Sequence, residues 1–264
     1  MNGKVTRREI GKETSIHGTA WDSFHGGYFS DLSVARPLIQ KARETIVSSQ
    51  PDVVVDLGGG TGYLLRALQE NCSGLAARLV NIDLSGKQLS QSARECIQTV
   101  QCSIESFTRT GIDPDAEKFL FLMRSVLHYM GKHGVRPFLH HLRNQMAKGE
   151  FFIHQTACFL REKDARCLNM LYENMGTEKW YPSTDELRRL LVQFGWAIIS
   201  EGEAPPLPLT SDDLRKRYML SAATVNQICD AIMQQFGEIH NVFQKSPDGF
   251  CAYLHYRIFA CVAA

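Results

Sequence analysis

Long apolar runs and any marked excess of charge are missing from the 264-residue chain. No stretch of about 18 apolar residues occurs, so the sequence predicts no membrane-spanning helix and no membrane partner. The N-terminal segment has no apolar core, and we therefore expect no secretory signal there. The chain has 29 Lys and Arg residues and 28 Asp and Glu residues, which gives a formal net charge of +1. This charge argues against a protein whose main task is to bind nucleic-acid phosphates.

Cysteine pairs with the spacing of metal or redox sites are missing too. The eight cysteines are dispersed along the chain, and none follows the C-x-x-C pattern. We therefore expect free thiols, no metal site and a cytoplasmic protein, because the cytosol keeps thiols reduced. No segment recurs at a fixed period, which excludes a repeat architecture.

The composition that remains is that of a folded domain. Hydrophobic residues make up 44% of the chain and charged residues 22%, so intrinsic disorder is excluded. A chain of this length can bury one large core, alone or with an appended lid.

Strand and helix patterns alternate through the first half of the chain. Continuous apolar runs predict strands buried on both faces, as in a parallel sheet, and segments with helical periodicity separate them. This alternation predicts a doubly wound α/β fold with right-handed crossovers. The predicted strands lie at 53–55, 79–83, 100–104, 119–123 and 151–153.

The second half departs from this alternation. Residues 156–180 are too many for an ordinary strand-to-helix loop and predict an inserted helical element. A short strand near 196–200, a proline-rich turn at 205–208 and a final strand at 251–262 follow. We divide the chain into a helical N-terminal lid at 1–48 and a binding domain at 49–264 with helical insertions near 156–180 and 207–245.

A glycine-rich segment after the first strand is the strongest functional signal. Glycines let the backbone turn tightly and approach a ligand, and the following helix adds unpaired N–H groups and a partial positive charge. A dinucleotide fingerprint would need Gly or Ala where Tyr63 stands, and a P-loop would need Gly-Lys-Ser/Thr. An acidic residue before the turn would repel a pyrophosphate and attract a cationic or zwitterionic ligand. The segment consists of Asp56, Gly58, Gly59, Gly60 and Gly62.

With Asp83 at the end of the second strand, this segment resembles the class I S-adenosylmethionine-dependent methyltransferases over about residues 30–200. The resemblance implies a seven-stranded, mostly parallel sheet whose last strand is antiparallel. It places the glycine loop under the methionine moiety, Asp83 on the ribose hydroxyls and Leu84 on the adenine. Ser103 stands where the family commonly has an acid, so backbone groups of Ile104, or Glu105, would meet the adenine instead. Arg124 completes the expected cofactor set.

The segment after the fourth strand resembles the family's substrate-facing segment. It contains Ser125 and His128, and His128 is our first candidate for a general base, with His154 after the fifth strand as the second. Aromatic residues near glycines in the N-terminal segment suit a lid that closes over substrate, although ordinary packing explains them as well. The candidate substrate residues are therefore Trp21, His25, Tyr28, Ser125 and Trp180.

These residues predict a metal-independent methyltransferase that aligns a small-molecule acceptor for in-line displacement. A homodimer is possible. RNA or protein methylation is an alternative, but no Asn/Asp-Pro-Pro-aromatic segment, typical of nucleic-acid amino methylation, follows the fourth strand. A catalytically inactive cofactor-binding subunit is another alternative, because it would need the same glycines and carboxylates.

Overall fold

A computed structural model describes residues 27–72, 74–92 and 96–264 of the chain. Its first half alternates helices and strands, as the sequence predicts. In chain order the elements are α1 (Leu32–Ser49), β1 (Val53–Leu57), α2 (Tyr63–Asn71), β2 (Arg78–Asp83), α3 (Gly86–Ser92), β3 (Gln98–Gln101), α4 (Arg109–Ile112), β4 (Phe119–Arg124), a 3₁₀ helix (Leu127–Met130), α5 (Gly131–Asn144) and β5 (Phe151–Ala157).

The second half completes the sheet and adds helices to it. Its elements are α6 (Glu162–Asn174), α7 (Thr184–Gln193), β6 (Trp196–Thr210), α8 (Ser211–Tyr218), α9 (Ala222–Phe236), β7 (Phe243–Ser246) and β8 (Gly249–Ala263). The side chain of Ser183 caps α7 by accepting from the N–H of Glu186, the arrangement that a serine followed three residues later by a glutamate favours.

The sheet has the order β3-β2-β1-β4-β5-β8-β6, with β7 paired to β8. Strands β1 to β5 pair in parallel, and β8 runs antiparallel to both β5 and β6. The predicted doubly wound, mostly parallel sheet with an antiparallel last strand is therefore confirmed, and the short β7 is an additional strand. The strand order reverses between β1 and β4, which is where sheets of this kind bind ligands.

The predicted turn at 205–208 is wrong, because these residues continue strand β6. Proline lacks the N–H that a central strand must donate, but β6 is the last strand in the sheet order and has only β8 beside it. A register shift between Ala204 and Leu207 accommodates Pro205 and Pro206 as a bulge. The strand is consequently long enough to extend beyond the parallel strands.

Helices cover both faces of the sheet, and each face has its own apolar core. One core contains residues of α1, α2, α6, α8 and α9, and we call this side the α1 face. The other contains residues of α5 and α7, and we call it the α5 face. Helix α1 is buried through Ala35, Leu38 and Ala42, so this part of the segment 1–48 belongs to the helical layer. Residues 1–26 of the predicted lid lie outside the described residues.

The predicted insertions contain both helices and strand residues, and the division of the chain into a lid and a binding domain stays a prediction. The insertion predicted at 156–180 contains α6, but its first residues still belong to β5. The region 207–245 contains α8 and α9, as expected for a helical insertion. None of the helices in the described ranges combines the length and apolar character needed to cross a lipid bilayer.

A buried carboxylate holds the N-terminal edge of β5 to its neighbours. Both oxygens of Glu150 lie 2.7 Å from Nη1 of Arg109. Glu150 also accepts from the backbone N–H groups of Phe119 and Ala147 at 2.8 and 2.7 Å. The Arg109 guanidinium lies over the Phe119 ring, 4.4 Å from its centroid. One satisfied ion pair thus joins α4, β4 and β5.

We expect the substitution Glu150→Gln to lower the free energy of unfolding by about 3 kcal/mol, because it leaves the Arg109 charge without its buried partner. Urea unfolding followed by circular dichroism measures the change. The matched control is Glu203→Gln, which removes an exposed ion pair with Arg257 and should cost under about 1 kcal/mol. Equal losses in the two variants would contradict a special role for Glu150.

Candidate active site

The backbone between β1 and α2 forms a cradle at the carboxyl edge of the sheet. Gly58, Gly60 and Gly62 have φ angles of +73°, +56° and +80°, a region that residues with a Cβ rarely adopt. A Cβ on Gly59 would collide with the side chains of Asp56 and Asn81. The predicted glycines are therefore required by the turn itself and by close approach of the loop to β2.

Asn81, which no sequence motif singles out, fixes the position of this loop. Its amide Nδ2 donates to the Gly60 carbonyl at 3.0 Å and to Ser92 Oγ at 3.2 Å. Asn81 lies inside β2, where every neighbour along the buried part of the strand is apolar. A polar residue inside an otherwise buried apolar strand was the available signal.

Asp83 lies at the carboxyl end of β2, where the resemblance places it. Its Oδ2 accepts from the Gly60 N–H at 2.9 Å and its Oδ1 from the Ser85 N–H at 2.8 Å. Burial raises the pKa of the Asp83 carboxyl, and the N–H donors of Ser85 and Gly60 oppose that rise. Each oxygen keeps acceptor capacity for one more donor, as two ribose hydroxyls require.

The residues predicted to meet the adenine lie at and just after the ends of β2 and β3. The Leu84 carbonyl accepts from Gln101 Nε2 at 3.3 Å, and Leu84 itself is half-buried. Ser103 Oγ accepts from the Glu105 N–H at 3.2 Å, so its hydroxyl stabilises the local turn. Ile104 is buried in the core of the α5 face. The adenine contacts expected for these residues stay predictions.

Asp56 is buried at the end of β1, and neither of its carboxylate oxygens has a hydrogen-bond partner. Burial raises the pKa of Asp56 to about 7; the nearby Asp83 charge adds to the rise and Arg124 opposes it. A buried acceptor of this kind needs a donor from outside the protein. The ammonium group of a methionine moiety fits that requirement.

Arg124 ends β4 beside this carboxylate. Its Nη1 donates to the Phe29 carbonyl at 2.8 Å, and its guanidinium carbon lies 5.7 and 5.6 Å from the ring centroids of Phe29 and Tyr63. The Nε and Nη2 atoms are buried without a hydrogen-bond partner. Burial lowers the pKa of the Arg124 guanidinium, while nearby tyrosines and Asp56 oppose that shift.

Ser125 and Tyr28, two predicted substrate residues, meet at Tyr256. Ser125 Oγ lies 2.7 Å from the Tyr256 hydroxyl, and Ser125 has a strained φ of +59°. The Tyr28 ring stacks on Tyr256 at 5.8 Å, and its hydroxyl donates to the Pro205 carbonyl. Burial raises the pKa of Tyr256 to about 12. Nothing in the sequence distinguishes Tyr256, because its strand shows only ordinary alternation.

His128 is buried in the 3₁₀ helix that follows β4. Its ring lies 4.2 Å from the Tyr129 ring and stacks on Tyr181 at 5.4 Å. The His128 carbonyl accepts from the Trp180 N–H, but the Trp180 side chain packs in the core of the α5 face. The aromatic rings that contact His128 are therefore those of Tyr129 and Tyr181, and the substrate contact predicted for Trp180 stays a prediction.

A buried lysine and its tyrosines adjoin His128. Lys179 Nζ donates to the Tyr218 hydroxyl at 2.7 Å and lies 4.8, 5.6 and 5.3 Å from the ring centroids of Tyr129, Tyr172 and Tyr218. Arg217 Nη2 donates to the Tyr129 hydroxyl at 3.4 Å. These residues come from the 3₁₀ helix, α6, α8 and the loop after α6, so no local pattern predicts the cluster.

His154 does not join the other candidates. Its ring stacks between Phe152 and Phe259 on the α5 face, and its Nδ1 lies 2.6 Å from Thr156 Oγ1. Burial lowers the pKa of His154 to about 3. Successive strand residues point to opposite faces, so Gln155, not His154, shares the face of Arg124.

Two predicted substrate residues, Trp21 and His25, lie outside the described residues. Within the ranges that the structure covers, no three His, Cys, Asp or Glu side chains are grouped closely enough to hold a metal ion. The cysteines are all free thiols.

Comparison with known proteins adds a family and several structural relatives. A sequence model described as "Methyltransferase domain" matches residues 30–201, well over half of the chain. No curated protein sequence matches the chain.

Three solved structures are similar in fold. The YcgJ protein of Bacillus subtilis is 14% identical, with a TM-score of 0.59, and the match covers 86% of this chain and 97% of that one. The magnesium protoporphyrin IX methyltransferase of Synechocystis PCC 6803, solved with bound S-adenosylmethionine, is 12% identical, with a TM-score of 0.55 and coverage of 100% and 98%. The 1,6-didemethyltoxoflavin-N1-methyltransferase of Burkholderia thailandensis, solved with its substrate and S-adenosylhomocysteine, is 15% identical, with a TM-score of 0.55 and coverage of 99% and 88%.

We expect Asp83→Asn to weaken S-adenosylhomocysteine binding by about 10- to 100-fold, because an amide cannot accept from two hydroxyls while its NH₂ faces the Gly60 N–H. Isothermal titration calorimetry measures the affinity. Asp248→Asn, an exposed change in the β7–β8 turn, is the control and should bind as the unsubstituted protein does. Unchanged affinity in Asp83→Asn would remove Asp83 from the cofactor site.

Asp56 should make the free protein less stable as pH rises. Its pKa is about 7 when folded and near 3.8 when unfolded, so the unfolded state loses its proton first. The free energy of unfolding should therefore fall between about pH 4 and pH 7. Asp56→Asn should remove this fall and be the more stable protein at pH 8, while binding S-adenosylhomocysteine more weakly.

Urea unfolding at pH 5 and pH 8 tests this expectation. Saturating S-adenosylhomocysteine should reduce the pH dependence of the unsubstituted protein, because the bound ammonium stabilises the ionised carboxylate. Equal stability of the two proteins at pH 8 would show that Asp56 is ionised without cost.

Proposed function

The chain belongs to the methyltransferase domain family, and from that premise we propose that it transfers the methyl group of S-adenosylmethionine to a small-molecule acceptor. The observation that carries the proposal is the pairing of a glycine cradle with buried, unpartnered polar atoms of Asp56 and Arg124 at the same sheet edge. Such atoms are costly unless a ligand satisfies them.

The residues present fit S-adenosylmethionine. Asp83 would accept from the ribose hydroxyls, the backbone of Gly58–Gly62 would lie under the methionine moiety, and Asp56 would meet the ammonium group. When bound, the cofactor supplies an electrophilic methyl group on a sulfonium. The protein then has to orient the acceptor and exclude water.

The proposal of a small acceptor rests on the side chains that enclose the acceptor side of the site. The region beyond Arg124 is bounded by the Tyr256–Ser125 pair, by His128 with Tyr181, and by the Lys179 cluster. These side chains are buried, which suits an acceptor that fits inside the protein better than a polymer that needs an open groove. The small-molecule acceptor in the toxoflavin methyltransferase structure agrees with this proposal. Trp21 and His25 remain proposed substrate residues.

Turnover with a panel of small metabolites, read as release of S-adenosylhomocysteine, tests the proposed function. Phenols, carboxylic acids, amines and N-heterocycles should be compared with transfer RNA and with protein extract. We expect turnover in the metabolite set only. Methylation confined to RNA or protein would overturn the small-acceptor proposal. Cofactor binding with no turnover on any of them would favour an inactive cofactor-binding subunit.

His128 is the proposed general base for a hydroxyl or protonated-amine acceptor. It is the imidazole nearest the end of β4 on the acceptor side, and its stacking on Tyr181 fixes the ring. Such a base takes the proton that the acceptor loses as it is methylated.

With the acceptor found in that panel, His128→Ala should lower kcat by about 10²–10⁴ and leave S-adenosylhomocysteine affinity unchanged. His133→Ala, at an exposed position on α5, is the matched control and should retain full activity. A loss in kcat below about tenfold for His128→Ala would mean that positioning alone, without a base, accounts for catalysis.

A further inference from the structure

Arg124 and Gln155 place unpartnered polar atoms side by side on the α1 face of the sheet. They are register partners on the parallel strands β4 and β5, so their side chains leave the same face. Gln155 is fully buried, and neither its Oε1 nor its Nε2 has a hydrogen-bond partner. The Nε and Nη2 atoms of Arg124 are likewise buried and unpartnered.

The buried Gln155 amide and the two unpartnered nitrogens of Arg124 destabilise the protein when no ligand is bound. Each buried donor or acceptor without a partner costs free energy, whereas an apolar side chain of the same shape would not. The core of the α1 face beside them contains the apolar side chains of Leu122 on β4, Ile153 on β5 and Ile258 on the neighbouring β8. The two polar side chains are therefore better explained by a ligand than by packing.

The unpartnered atoms of Arg124 and Gln155 indicate which chemical group could bind them. Nε and Nη2 form one edge of the guanidinium and present two parallel N–H groups, which match the two oxygens of a carboxylate. Gln155 adds an NH₂ donor for the same group and a carbonyl acceptor for a neighbouring donor. Asp56, which interacts electrostatically with Arg124, would disfavour a carboxylate on its own side and favour an ammonium there.

We propose that Arg124 and Gln155 form a carboxylate-binding subsite at the carboxyl edge of β4 and β5. The proposal rests on the proposed function, because the carboxylate belongs either to the methionine moiety of the cofactor or to the methyl acceptor. Ser125, whose N–H donates to the Gln155 carbonyl, connects the subsite to the Tyr256 hydroxyl and hence to the acceptor region.

The first arm of the test compares S-adenosylhomocysteine with S-adenosyl-3-thiopropylamine, which lacks only the carboxylate. If the cofactor supplies the carboxylate, the unsubstituted protein should prefer S-adenosylhomocysteine by about tenfold or more. Gln155→Met and Arg124→Lys should reduce that preference to less than about threefold. Arg124→Lys keeps the charge but loses the planar fork, so it tests the geometry.

The second arm asks whether the acceptor supplies the carboxylate. Benzoate is titrated into the protein saturated with S-adenosylhomocysteine, with benzamide as its neutral counterpart. An acceptor subsite should bind benzoate at least about tenfold more tightly than benzamide, and the same two variants should abolish the difference. Loss of preference in either arm supports the subsite and identifies its source.

Matched controls separate binding from folding. Arg143→Lys changes an arginine whose donors reach the carbonyls of Gly195, Met146 and Ala264, and Gln193→Met changes an exposed glutamine. Neither should alter a ligand preference. Without ligand, Gln155→Met should melt at the same or a higher temperature than the unsubstituted protein, because the amide it removes has no partner.

Three results would overturn the subsite: no carboxylate preference in either arm, a preference that persists in both variants, or a clear loss of melting temperature in unliganded Gln155→Met. Failure of the proposed function would look different. The unsubstituted protein would then fail to bind S-adenosylhomocysteine at all or would methylate none of the small molecules.

Discussion

Parallel strands bring the carboxyl ends of β2, β1, β4 and β5 to one edge, and each strand contributes a buried or half-buried polar side chain there. Asp83, Asp56, Arg124 and Gln155 follow one another across that edge in strand order. The chain satisfies these side chains only in part. Asp83 accepts from two backbone N–H groups and Arg124 donates to the Phe29 carbonyl. Asp56, Gln155 and the other two nitrogens of Arg124 have no hydrogen-bond partner. The glycine loop, the Asn81 contact that holds it and the tyrosines around Tyr256 are arranged about this row of charges and amides.

Two buried carboxylates, Glu150 and Asp56, differ in how the protein stabilises their charge. Glu150 accepts from Arg109 and from two backbone N–H groups, so its charge is stabilised inside the protein. Asp56 has no hydrogen-bond donor, and burial raises its pKa to about 7. A charge stabilised internally holds strands together, whereas one left unsatisfied is stabilised only by a ligand. The internally stabilised carboxylate lies at the amino edge of the sheet, and the one without a donor lies at the carboxyl edge.

The sequence could predict the features that depend on residues close together in the chain. The run from Val53 to Gly62 contains the strand, the turn and the helix start, and each is specified locally. Asn81, Tyr256 and Lys179 act through residues distant in sequence, and only the folded sheet brings them together. His154 was wrongly predicted to lie with the other candidates. Successive residues of a strand point to opposite faces, so His154 faces the α5 side whereas Gln155, one residue later, faces the cleft. The prolines of β6 predicted a turn because proline is tolerated in a strand only at the edge of a sheet. The sequence does not show that β6 is such an edge strand.

Tyr28 and Phe29 connect the two halves of the site. The Phe29 carbonyl accepts from Arg124, on the cofactor side, and the Tyr28 ring stacks on Tyr256, on the acceptor side. The Tyr28 hydroxyl also donates to Pro205, in the bulge that lengthens β6. Because one short segment contacts all three, a ligand whose carboxylate binds Arg124 would also act on the backbone of Phe29, and through it on the tyrosine pair. In the proposed site, binding in one half of the cleft would thereby affect the shape of the other through direct contacts.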